Sequence, residues 1–171
     1  MYFFHRLTLC ATFPKQSLKM NLIKQFKILP NFQRYTICIS LIILCISLSQ
    51  PAFYIDRDDN PAAWANSLMI FFFGWTFPFG GGITGFLFWC ANPIYIFSII
   101  QIIRKKKTGI ILSIIASIIA FSFSLMDEIT ASSSGSLSKI TSLELGYKLW
   151  LASLITLSIG SLISLIINKK K

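Results

Sequence analysis

The side chains that could do chemistry in this sequence are few and far apart. Asp56, Asp58 and Asn60 have the alternate spacing with which an EF-hand calcium loop opens, because oxygen ligands two residues apart can converge on one hard cation. Pro61 stands where that loop needs glycine, and Ser67 where a glutamate would close it. Asp59, Asp127 and Glu128 bring the nearby carboxylates to five, yet the plain reading of all of them is solvated acidic side chains rather than a metal site. His5 is the only histidine, and no HExxH, GxSxG or phosphate-binding glycine loop occurs, so the usual machinery of hydrolytic and nucleotide chemistry is missing. Four cysteines form no disulfide framework: Cys38 and Cys45 lie seven apart on one expected helix, Cys90 is in another, and Cys10 is in a basic arm. No cofactor is implied, and no enzyme is expected.

One polar pair is placed more suggestively. Asn92 and Pro93 fall near the middle of a long apolar run, where proline removes an amide donor and frees the carbonyl of Trp89 four residues back. A freed carbonyl beside an amide side chain could form a small polar site or a hinge. A simple kink, satisfied by a serine or threonine of a neighbouring helix, explains it as well.

The segments that must carry these residues are apolar. Of 171 residues 54% are hydrophobic and the mean hydropathy is +0.69, too apolar for a water-facing globule. Residues 35–55, 60–103, 108–126 and 149–168 hold no Asp, Glu, Lys or Arg. Each is long enough for the roughly 20 helical residues that cross a bilayer. Backbone amides in hydrocarbon must bond within their own segment, so helix is expected, and no alternating barrel strands are visible. The reading is an all-α polytopic membrane protein: a basic arm over 1–34, one helical domain over 35–168 with spans near 35–55, 83–103, 109–126 and 147–167, and a basic tail over 169–171.

Charge orients the chain. Thirteen of the sixteen basic residues lie in the arm, in Arg104 to Lys107, or in the last three lysines, whereas all six acids lie in the other loops with only Arg57, Lys139 and Lys148. Basic loops stay in the cytoplasm, so both termini are expected there, and the net charge of +10 calls for lipid rather than nucleic acid as partner. The arm itself is read as loosely ordered, with Met20 a possible alternative start and a cleavable signal peptide as the competing reading. Residues 60–103 are long enough for two crossings, but an acidic loop before them and a basic one after them require an odd number. One crossing is therefore expected, preceded by an interfacial or re-entrant outer segment from Trp64 to Phe79 that bends at Gly80, Gly81 and Gly82.

Small residues recur at four-residue spacing, Ala116, Ala120 and Ser124 in the third span and Ala152, Thr156, Gly160 and Ser164 in the fourth. Such faces let helices approach closely, here the third against the fourth or the chain against itself.

Three strings, WCANP at Trp89 to Pro93, SFSLMDEI at Ser122 to Ile129 and LGYKLWLAS at Leu145 to Ser153, resemble a family of small proteobacterial four-helix inner-membrane proteins. Cys90 departs from the leucine of that pattern. The resemblance covers about half of the chain and implies a bacterial inner membrane, but the family has no assigned activity and transfers no functional residue. The function expected is a non-enzymatic accessory or envelope component acting through other membrane proteins, with a small transporter or channel built on the Asn92 and Pro93 break as the alternative.

Overall fold

The computed structural model describes residues 22–56, 66–80, 82–130 and 137–169. Helix α1 spans Asn31–Leu48 and follows Pro30, whose fixed φ and missing amide suit a helix start. It stops short of the expected residue 55 because Pro51 cannot continue a helix, and Phe53–Ile55 instead form strand β1. Helix α2, Ser67–Phe73, is capped by the Asn66 side chain, which accepts from the Leu68 amide at 3.0 Å. A 3-10 stretch over Gly74–Gly80 leads to α3, Ile83–Trp89, and α4, Ala91–Ile103. Helix α5, Lys107–Ser122, ends in a 3-10 turn at Phe123–Leu125. Strands β2, Glu128–Thr130, and β3, Leu137–Leu143, precede α6, Leu145–Lys169.

Four helical runs are long and apolar enough to cross a membrane: Asn31–Leu48, Ile83–Ile103, Thr108–Leu125 and Leu145–Ile167. They alternate in direction, with α6 packed between α1 and α5, and α4 on the far side of α5. One end of the bundle carries Arg34 and Arg104 to Lys107; the other carries Asp56, Asp127, Glu128 and Glu144. Exposed apolar side chains such as Ile42, Phe97, Ile118 and Ile159 girdle the middle.

The all-α expectation needs correction at the acidic end. Between the last two long helices stands part of a three-stranded antiparallel sheet in the order β1-β3-β2. Phe53 pairs with Leu143 and Ile55 with Ile140, with a bulge between Tyr54 and Ile55, while Glu128 pairs with Lys139 across β2 and β3. The sheet closes over the bundle, burying Phe53, Ile55 and Ile129 against Phe123 and Tyr147.

Within the bundle the seams are lined by serine. Ser40 bonds to the Tyr95 hydroxyl and donates to the Ser153 carbonyl at 2.8 Å, joining α1, α4 and α6. Gln33 donates to Ser161 at 2.9 Å, and Ser117 and Ser158 pair at 2.8 Å across α5 and α6. Small side chains permit the close approach that brings these hydroxyls to their partners. Gly109 on α5 sits so tightly on α4 that a Cβ there would lie 2.6 Å from the Ile102 backbone nitrogen.

The candidate binding chamber at the sheet end

Where α1, α2, α3, α4 and α6 meet the sheet they leave a chamber of about 80 Å³. Its walls are mainly Phe53, Phe77, Phe88, Phe123, Trp89 and Trp150. Phe123 is the hub of the aromatic layer, with ring centres 5.4 Å from Phe53, 5.3 Å from Phe88 and 5.4 Å from Tyr147. Tilted and edge-on pairs at this distance stabilise the wall beyond the burial they bring.

The polar tips of the aromatic residues hold the elements in place. Trp89 donates from Nε1 to the Phe71 carbonyl at 2.9 Å, which pins α2 to α3. Trp150 donates to Asn92 Oδ1 at 2.8 Å, and the Tyr147 hydroxyl donates to the Ala120 carbonyl at 2.9 Å. Glycine permits two close approaches: Gly74 abuts the Trp89 ring, and Gly146 abuts Ser67 and the carbonyls of Gln50 and Pro51. The segment over Ser67–Gly80 thus runs in from Gly146 to the level of Trp89, then back out beside α3, where the Gly82 amide donates to the Phe77 carbonyl at 2.9 Å.

Two hydroxyls border this space without a hydrogen-bond partner among the described residues, Ser47 Oγ, with its residue fully buried, and Ser67 Oγ, with its residue 8% exposed. A buried unpartnered hydroxyl costs on the order of 1–3 kcal/mol. Their neighbours carry no acid or base beyond the Tyr147 phenol, which is engaged with Ala120. The described lining of the chamber is thus mainly apolar and aromatic.

The residues singled out in the sequence are distributed as follows. Asn92 lines the chamber and is only 7% exposed, whereas Pro93 faces outward. The helix interruption lies at Cys90, where α3 ends and α4 begins, one turn before the proline whose missing amide leaves the Trp89 carbonyl. Gly80 closes the 3-10 stretch and Gly82 is the N-cap of α3; Gly81 and Trp64 lie outside the described residues, as do Asp58 and Asp59. Asp127 and Glu128 are exposed at the sheet. Ala116, Ala120, Gly160 and Ser164 are buried, but Ala152 and Thr156 only partly so. The face of α6 turned inward is Ser153, Leu157, Gly160, Ser161 and Ser164, and Gly160 meets Thr36 of α1 rather than the small residues of α5. Four-residue steps advance roughly 400°, so a stripe built on them drifts off a straight seam by about 40° per step.

Compared with protein-family models, curated proteins and solved structures, the chain finds no match. The chamber itself escaped the sequence reading, because its walls come from segments as distant as Ser47 and Trp150; the aromatic density from Phe71 to Phe79 was the one local signal.

Proposed function

We propose that the chain is a four-pass protein of a bacterial inner membrane, lysine-rich end and both termini in the cytoplasm and sheet outside, and that it is a non-enzymatic accessory component gripping a membrane partner through the sheet-end chamber. The apolar girdle between two ends of opposite charge supports the membrane placement, and the cationic bias supports the orientation. The bacterial source rests on the resemblance of the three strings.

The observation that carries the binding reading is the chamber. At about 80 Å³ it is smaller than the roughly 150 Å³ cavity that admits benzene, so it fits the tip of one leucine or methionine side chain. Apolar anchors seated in desolvated pockets carry much of the energy of an interface. A transport pathway has less support: Asn92 is held by Trp150, and Ile37, Tyr95, Leu154 and Leu157, all nearly inaccessible, fill the bundle between the chamber and the basic end.

A photo-reactive side chain at Ile70, in the wall, is expected to form one defined adduct with a membrane protein in living cells. Ile129→Phe, which fills the space, should remove that adduct while leaving thermal stability at least as high. An adduct that persists in Ile129→Phe, or a purified monomer that by itself moves a solute into liposomes, overturns the reading.

A further inference from the structure

The basic end of the bundle holds a second, larger space of about 530 Å³, between the start of α1, the α4–α5 turn and the end of α6. Its lining is divided by chemistry. Lys105, Lys106 and Lys107 form one rim, Gln33 and Ser161 the polar floor, and Leu29, Ile102, Ile110 and Leu165 the remaining wall. Among the described residues no carboxylate is in the lining, and Asp56, Asp127, Glu128 and Glu144 sit at the opposite end. Three lysines therefore border one crevice whose described lining holds no anionic side chain.

The backbone of the turn is arranged at some cost. The Lys105 amide donates to the Ile102 carbonyl at 2.9 Å and the Lys106 amide to the Gln101 carbonyl at 3.0 Å, which is the paired helix ending that normally has glycine at its left-handed position. Lysine occupies that position, with φ 56°. The turn therefore carries a side chain where the backbone favours none. On the floor, Gln33 is 5% exposed and donates to Ser161 Oγ, and a hydroxyl that accepts one bond still has a proton to give.

We propose that this crevice binds a phosphate-bearing anion, the headgroup of an anionic phospholipid, with the three lysines and Ser161 on the phosphate and the leucine and isoleucine wall against the first methylenes of its chains. Free inorganic phosphate shares the charge but leaves the apolar wall unused. Basic pockets between membrane helices select anionic headgroups in this way.

The test uses the full chain in neutral detergent, followed by thermal unfolding during titration with phosphatidylglycerol, phosphatidylcholine or inorganic phosphate. Phosphatidylglycerol should raise the melting temperature saturably and phosphatidylcholine should not. Removing Lys106 and Lys107 together by alanine should weaken that response about 25-fold, since each lysine near an anionic lipid surface contributes about fivefold, while Lys148→Ala at the sheet end leaves it unchanged. Lys105→Gly separates the roles: it should melt no lower than the parent without lipid and still bind the lipid more weakly. A response to inorganic phosphate as strong as to the lipid would assign the crevice to a free anion and overturn the lipid assignment. An equal response to phosphatidylcholine, or an unchanged one in the lysine variants, would overturn the site.

Discussion

Gly160→Leu separates α1 from α6 and lowers stability by about 3 kcal/mol, at the upper end of what an overpacked core position costs. A Cβ at residue 160 would lie 2.3 Å from Thr36 Cγ2 and 2.6 Å from Thr36 Oγ1, so even the first carbon has no room. Thr36 cannot turn aside: its branched side chain has few rotamers in a helix, and its hydroxyl is bonded to the Phe32 carbonyl at 3.0 Å. The helices must move apart instead, and that pulls on the contacts on either side, Gln33 with Ser161 and Ser40 with the Ser153 carbonyl. Denaturant titration of the purified protein measures the loss. Gly160→Ala should lose less, and pairing it with Thr36→Gly should recover most of the deficit, a coupling expected only of residues in contact. Independent, additive losses would mean that the two helices do not meet at this point.

Gly146→Val has the second large effect and acts on the cap. The Gly146 amide donates to the Pro51 carbonyl at 2.8 Å, and a Cβ would lie 2.5 Å from that oxygen and 2.7 Å from the Gln50 oxygen. These are backbone atoms, which have no alternative rotamer, and the Ser67 hydroxyl closes the third side. The substitution must push the link between α1 and β1 away from α6, at roughly 2–3 kcal/mol, and widen the chamber as it does so. Limited proteolysis should then cut near residues 50–56 in the variant and spare the parent. The four long helices should persist, so circular dichroism is expected to change little while the cap becomes accessible. Retained protease resistance would show that the cap is not fastened there.

The long helices were legible because their signal is local. Twenty uncharged residues and a lysine-rich turn announce themselves within one window, and the second to fourth runs begin and end within two residues of the sequence reading, at Ile83–Ile103, Thr108–Leu125 and Leu145–Ile167. The first is displaced, Asn31–Leu48 against 35–55, because Phe53 to Ile55 are as apolar as the helix before them and hydropathy does not distinguish a buried strand from a helix end. Strand β3 was hidden for another reason. Leu137 to Leu143 alternate only loosely, and one partner strand lies about 90 residues away, as the pairing of Phe53 with Leu143 shows, so no neighbouring pattern foretells it.

The candidate site divides in the same way. Asn92 stood out as a polar side chain in an apolar run, but its partner Trp150 lies 58 residues on, and only the fold reveals that the amide is engaged. The four-residue stripe named Gly160 and Ser164 and overlooked Ser153 and Ser161, which the true helical repeat of about 3.6 brings to the same seam. Serines scattered through apolar helices look like background composition until three of the helices are seen to meet on them, as they do around Ser40 and Tyr95.

The proposed threading is tested most directly by accessibility of single cysteines in intact spheroplasts. In a chain with Cys10, Cys38, Cys45 and Cys90 replaced, Thr141→Cys in the sheet and Lys106→Cys in the basic turn are exposed to a membrane-impermeant maleimide. Immediate labelling of the first is expected, and labelling of the second only after the membrane is opened. Labelling of Lys106→Cys from outside, or of both positions from one side, would contradict that threading.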